Sequence, residues 1–244
     1  MLAPMPLDYS IHYRLFHDNT KQHALEMSKY FWSLLHNKIP ADRDSYILDV
    51  GCGFGFALQA LRNAGYHNIS GLETSAQQAN IAQAAGFSVE VVRDTTEWLR
   101  KKTSFFDAIL LFDVLEHVPV TKQVLLLQSI KASLKQGGKI LVQVPNASAL
   151  LAMRWRYSDF THYSSYTEHS LFFALANAGF TEIHIGNDKG IGRFPRRLWR
   201  RSGRAALRKW IVRWAWLQVY RAELPWDRLD NISFDLNLLA SARA

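Results

Sequence analysis

Ile47-Leu48-Asp49-Val50 is an apolar run that leads into Gly51-Cys52-Gly53-Phe54-Gly55 and then, from Phe56, into a helical spacing of apolar residues. Alternating glycines at such a turn permit positive φ and remove the Cβ atoms that would keep a ligand away from the backbone. Asp49 stands just before the turn, and a second carboxylate, Glu73, ends the next apolar run, Ile69-Ser70-Gly71-Leu72. A carboxylate in that second place can accept both hydroxyls of a ribose. Phosphate chemistry has no counterpart. Phe56 stands where a dinucleotide turn needs Gly or Ala, and no Gly-Lys-Ser/Thr follows Gly55.

The elements that must position these residues alternate along the chain. Strands are expected at 46–50, 69–73, 88–92, 106–112 and 139–144, with helices at 55–64, 75–85, 95–101 and 121–134, the last closed by Gly137-Gly138. Near-continuously apolar strands separated by helices imply a parallel sheet covered on both faces, with ligands beyond the carboxyl ends of the strands. Residues 9–37 carry a helical pattern and form a cap over that end, within a cap segment 1–44. After Pro145 an aromatic insert, 146–167, forms the expected acceptor floor, followed by helix 168–178 and strand 180–186. The whole reads as a catalytic core at 45–187, a basic insertion at 188–230 and a closing strand within 231–244.

Glycine turn and acidic strand end without phosphate chemistry point to S-adenosylmethionine as cofactor. The blocks LDVGCGFGFALQALRNAGY, ISGLETS, FDAILLFDVLEHV and LKQGGKILVQVPN resemble, in order and spacing, the class I S-adenosylmethionine-dependent methyltransferases. The stretch DFTHYSSYTEHSLFFALANAGF is similar to a subgroup acting on quinone precursors, sugars and surface glycans. The resemblance implies an α/β, doubly wound, mostly parallel seven-stranded sheet, Rossmann-like, with an N-terminal helical cap and a C-terminal basic helical insertion. Asp49, Gly51, Cys52 and Gly53 would meet the methionine end of the cofactor, and Glu73 with Thr74 the ribose. Asp94 and Thr95 follow the third strand, where the family holds the adenine amino group; Asp94 could equally cap helix 95–101. Phe112 and Asp113 open the turn that meets the methionine part and faces the acceptor.

Methyl transfer from a sulfonium is an in-line displacement, so the protein must align the acceptor oxygen with the methyl carbon and sulfur. A hydroxyl acceptor must also lose its proton. His162, within the aromatic insert beside Tyr157, Phe160, Tyr163 and Tyr166, is the candidate base, with Asp113 and His117 in reserve. Asp113, Glu116 and His117 lie one helical turn apart and resemble a Glu-x-x-Glu-His metal arrangement of some ubiquinone-biosynthesis and small-RNA methyltransferases. Asp113 replaces its first Glu, and no metal is expected. Cys52, the single cysteine, reads as a small filler.

No run of about 18 uncharged apolar residues and no secretory signal are visible, and one cysteine rules out an internal disulfide, so the expected location is cytoplasmic. Charge is concentrated. Residues 193–213 hold nine Lys/Arg and no acid against a chain total of +8, so the rest of the chain is near −1. An amphipathic helix is expected from about Pro195 to Tyr220, with Leu198, Ala206, Trp210, Trp214 and Leu217 near helical spacing. Five of the eight tryptophans lie at or beyond Trp199, which suits peripheral contact with the inner membrane face, an anionic glycan or an acidic subunit. The expected acceptor is a sugar hydroxyl of a surface polysaccharide or lipid-linked precursor. The alternatives are a small phenol or quinone precursor, and RNA methylation or binding through the basic helix.

Overall fold

The computed structural model describes residues 9–18, 20–186, 194–195, 201–226 and 232–244. Among the described residues seven strands are formed: β1 (Ile47–Val50), β2 (Ile69–Glu73), β3 (Val89–Val91), β4 (Phe106–Phe112), β5 (Leu134–Pro145), β6 (Thr181–Ile185) and β7 (Asn237–Arg243). They make one sheet in the order β3-β2-β1-β4-β5-β7-β6. β1 through β5 pair in parallel, whereas β7 runs antiparallel to both β5 and β6, so the sheet is mixed.

Alternation along the strands divides the core. Leu48, Val50, Ile109, Leu111, Ile140 and Val142 face one side, under α6 (Val120–Ser133) and α8 (Glu168–Asn177). Ile47, Ala108, Leu110 and Leu141 face the other, where α2 (Lys21–Leu35) and α3 (Phe56–Asn63) contribute Leu34, Leu35, Ala57 and Leu61. Both faces are covered, which is what continuously apolar strands require. Ahead of α2, α1 (Tyr9–Phe16) reaches over the glycine turn, with the Tyr13 and Phe54 rings 4.6 Å apart.

Two expectations need correction. Gly137 and Gly138 do not close α6, which ends at Ser133; β5 begins directly at Leu134. The pairing jumps from Phe106↔Leu134 to Ala108↔Lys139, so these glycines form an irregularity in the strand, with Gly137 at φ +73°. The basic helix is described over α9 (Arg201–Glu223), and it ends at Glu223 rather than near Tyr220. Arg193, Arg196, Arg197, Leu198, Trp199 and Arg200 lie outside the described residues, as do Met1–Asp8. α4 (Ala76–Ala84) and α5 (Thr95–Arg100) lie near their expected places, whereas α7 (Ala152–Ser158) is a short helix inside the aromatic insert that the sequence pattern did not show.

The strand order reverses between β1 and β4, and a crevice opens there beyond their carboxyl ends. The glycine turn, Glu73 and the Asp113–His117 turn each end or follow a strand on that side.

Candidate active site

β1 delivers the chain into a turn pinned to its neighbour: the amides of Gly51 and Cys52 both donate to the Leu72 carbonyl, at 2.8 and 3.0 Å. Gly51 and Gly53 have φ of +73° and +52°. A Cβ at Gly51 would collide with Val114 Cγ2, and one at Gly53 would lie 2.5 Å from the Tyr13 hydroxyl. The glycines are therefore required by both conformation and space.

Glu73 joins the two strand ends. Its Oε2 accepts from the Gly53 amide at 2.9 Å, and its Oε1 from the Thr74 and Ser75 amides at 2.7 and 2.9 Å. The Thr74 hydroxyl adds a longer contact to Oε1 at 3.4 Å, so the capacity left for a ligand hydroxyl is on Oε2. Asp49 is almost fully buried behind it. Burial first, and the Glu73 charge second, push the Asp49 carboxyl up to about 7.

These groups line a cavity of about 760 Å³, within the roughly 300–1,000 Å³ of small-molecule sites. Its other half is built from the turn after β4 and the aromatic insert. Asp113 takes a left-handed conformation at φ +55°, which aspartate tolerates better than most side chains. Gln143 Nε2 donates to Asp113 Oδ2 at 2.8 Å, and the Tyr30 hydroxyl donates to Gln143 Oε1 at 2.9 Å. Burial raises the Asp113 carboxyl to about 6. A single 3-10 turn, Leu115–His117, then turns Glu116 and His117 inward. Glu116 is 1% exposed, and its Oε2 has no hydrogen-bond partner. Burial, followed by the charge of Asp113, pushes its carboxyl well up.

The tautomers of two histidines follow from their partners. Thr161 Oγ1 donates its only proton to Asp159 Oδ1 at 2.7 Å, so at 2.8 Å from His117 Nδ1 it must accept. His162 Nδ1 lies 3.1 Å from the Arg156 carbonyl, which can only accept. Both rings thus carry their proton on Nδ1, so Nε2 is the unprotonated nitrogen of each. Burial lowers His117 to about 4, helped by His162, and burial also lowers His162. Neutral at pH 7, their Nε2 contacts with Asp159 Oδ2 at 3.9 and 3.8 Å are not ion pairs. Asp159 instead meets His12 Nε2 of α1 at 3.0 Å.

Of the residues singled out in the sequence, Asp49, Gly51, Cys52, Gly53, Glu73, Thr74, Thr95, Phe112, Asp113, His117 and His162 line this one cavity. Asp94 does not. Its carboxylate accepts from the Glu97 amide at 3.0 Å and caps α5, the local bond outcompeting a role in the cavity. Burial pushes the Cys52 thiol up, which suits a filler. The pattern reading missed His12, Tyr30, Gln143 and Asp159, which come from the cap, mid-strand and insert. The spacing Asp159-x-Thr161-His162 was the available signal for the last of these.

Ligand atoms of Glu116, His117 and His162 lie within 4.8 Å of one another. These three, with the orphaned Glu116 Oε2, fit a divalent ion. His162 takes the place expected for Asp113, whose carboxylate is engaged by Gln143.

A family model described as a methyltransferase domain matches residues 22–185. A ubiquinone biosynthesis O-methyltransferase of Actinobacillus pleuropneumoniae serotype 7 is 30% identical over 109 residues, covering 41% of this chain and 45% of that protein. The chain thus spans less than half the length of the curated relatives it matches. Among solved structures, a SAM-dependent methyltransferase from Archaeoglobus fulgidus superposes with a TM-score of 0.68 at 15% identity, covering 98% of this chain and 100% of that one. A possible histamine N-methyltransferase from Thermotoga maritima gives 0.62 at 16% identity, covering 96% and 99%.

Proposed function

The chain belongs to the class I S-adenosylmethionine-dependent methyltransferases, and from that premise we propose that it transfers a methyl group to a phenolic hydroxyl. The observation that carries this reading is His162, whose Nδ1–H is held by a carbonyl so that its Nε2 lone pair is free in an aromatic-walled cavity. Trp155, Tyr163, Phe16 and Phe31 line the same cavity and suit a flat, partly apolar acceptor.

In this reading Glu73 Oε2 receives a ribose hydroxyl of S-adenosylmethionine and the turn 51–53 receives its methionine end. Asp49 faces the cationic part of the cofactor, which offsets its burial. The acceptor oxygen attacks the methyl carbon as the carbon–sulfur bond breaks, and the sulfonium becomes a neutral thioether. The phenolic proton passes to His162 Nε2, and the imidazolium so formed lies near Asp159 Oδ2 and Glu116 Oε1, at 3.8 and 4.0 Å. A phenol, with a pKa near ~10, is within reach of a weakly basic imidazole. Glu116, His117 and His162 would hold a divalent ion, which when bound would supply Lewis acidity to an acceptor oxygen in place of imidazole basicity.

The relatives named for ubiquinone biosynthesis support oxygen as the receiving atom. The sugar-hydroxyl reading is supported by the polar groups of Ser158, Asp159, Thr161 and Asn237 on the cavity wall. Transfer of labelled methyl from S-adenosylmethionine to parallel panels of phenols, sugars and RNA decides between them. Labelled phenol, with kcat reduced about 100-fold or more in His162→Gln and cofactor affinity unchanged, is the expected outcome. Transfer to sugars or RNA alone would overturn the phenolic reading, and unchanged kcat in His162→Gln would remove the base.

A further inference from the structure

α9 presents two unlike faces. Its inner face is fastened to the core: Arg213 pairs with Asp235, and Trp216 Nε1 and the Tyr220 hydroxyl both donate to the Ser148 carbonyl, at 3.2 and 3.1 Å. The outer face follows the row Arg204, Arg208, Ile211, Ala215, Val219, Ala222 at three- and four-residue steps. Ile211, Val212, Trp214 and Val219 are each about half exposed, and Trp226 just beyond the helix is 78% exposed. The helix holds six Lys/Arg and one acid, Glu223, at its last position. Arg201, Arg204, Arg208 and Arg221 have no carboxylate partner among the described residues.

A merely solvated outer face would carry polar groups of both signs. This one carries arginines in its first half and exposed aliphatic side chains with tryptophan in its second, with no acid before Glu223. Arginine and tryptophan beside exposed aliphatics is the combination that lies in the headgroup and upper acyl region of a bilayer. We propose that the outer face of α9 docks the protein on an anionic lipid surface. Charge complementarity selects anionic headgroups, and the aliphatic row distinguishes a bilayer from a nucleic acid, which would reward only the cations. No helix among the described residues is long and apolar enough to cross a membrane, so the contact is peripheral. The anchor point fits this use. Ser148 lies three residues beyond Pro145, which lines the cavity, and its neighbours Leu150 and Leu151 are about half exposed. Docking therefore places the lipid surface about 10 Å, one helix diameter, from the loop that follows the cavity wall. This surface is independent of which hydroxyl the site methylates.

The test is flotation of the full chain with vesicles of phosphatidylcholine alone or mixed equally with phosphatidylglycerol. Wild type is expected to partition onto the anionic vesicles and much less onto the neutral ones. At about fivefold per surface cation, the pair Arg204→Ser and Arg208→Ser should lower partition about 25-fold. The pair Ile211→Ser and Val219→Ser should abolish the fraction that persists at high salt. Both pairs change outward side chains, and their melting temperatures and cofactor binding should match wild type, which separates this test from that of the methylation reading. Absent vesicle binding, equal binding to neutral vesicles, or variants that bind like wild type would overturn the proposal. So would tighter, salt-sensitive binding to transfer RNA that ignores Ile211 and Val219, or self-association abolished by that pair without lipid binding.

Discussion

Asp49→Asn separates what the cofactor end of the cavity contributes to binding from what it costs in stability. The carboxyl has an ordinary pKa of 3.8 and is raised to about 7 in the fold, chiefly by burial. An acid with a raised folded pKa holds a proton that the unfolded chain has already lost, so stability should fall as pH rises from about 4 to about 7, then level off. The gap corresponds to ~4 kcal/mol at pH 8. Asn keeps the shape without the charge. The variant should equal wild type near pH 4 and exceed it by up to ~4 kcal/mol at pH 8, or about 10 °C in melting temperature for a chain of this size. Cofactor affinity should move the other way, about tenfold weaker or more, because a cationic ligand loses its counter-charge. Wild-type binding near pH 7 should also release a proton as the ligand pulls Asp49 into its ionised form. Urea unfolding at a series of pH values, with calorimetry in two buffers of different ionisation enthalpy, reads all of these. Parallel stability curves for the two proteins between pH 4 and 8 would refute the reasoning.

Two further outcomes are expected from the acceptor half. His12→Ala removes the 3.0 Å contact between α1 and Asp159, and amide hydrogen exchange across Tyr9–Phe16 should quicken about tenfold, with a raised KM for the acceptor and an unchanged cofactor Kd. Manganese at 100 times its Kd should stabilise the chain by ~3 kcal/mol in thermal unfolding, an effect lost in Glu116→Gln and in His162→Gln.

The half of the cavity built from the glycine turn and Glu73 was legible in the sequence because its signals are local. Gly51 and Gly53 flank a turn, and Glu73 ends an apolar run, so residue type and position along the chain suffice to place them. The mixed edge was partly legible: a closing strand near the C-terminus could be seen, but its antiparallel direction depends on how the 188–230 segment returns. The half built from the turn after β4 and the insert was only partly visible. His162 stood out as an imidazole in an aromatic tract, yet its tautomer depends on the Arg156 carbonyl, and that of His117 on Thr161 and Asp159. His12 meets Asp159 across 147 positions of sequence, a distance that no periodicity encodes. Asp94 is the opposite case. Its place at a strand end suited either an adenine contact or an N-cap, and the structure shows the cap. Gly137-Gly138 likewise looked like a helix stop, since glycine pairs serve in caps and in irregular strands alike.

The central claim is that the glycine turn and Glu73 form the S-adenosylmethionine site. Calorimetry of S-adenosylmethionine and its demethylated product on wild type and Glu73→Ala, with folding of both checked by thermal unfolding, tests it most directly. Binding of both ligands to wild type, weakened about tenfold or more by the substitution, roughly 1.4 kcal/mol, is the predicted result. Absence of binding to wild type, or equal affinity in a folded Glu73→Ala protein, would contradict it.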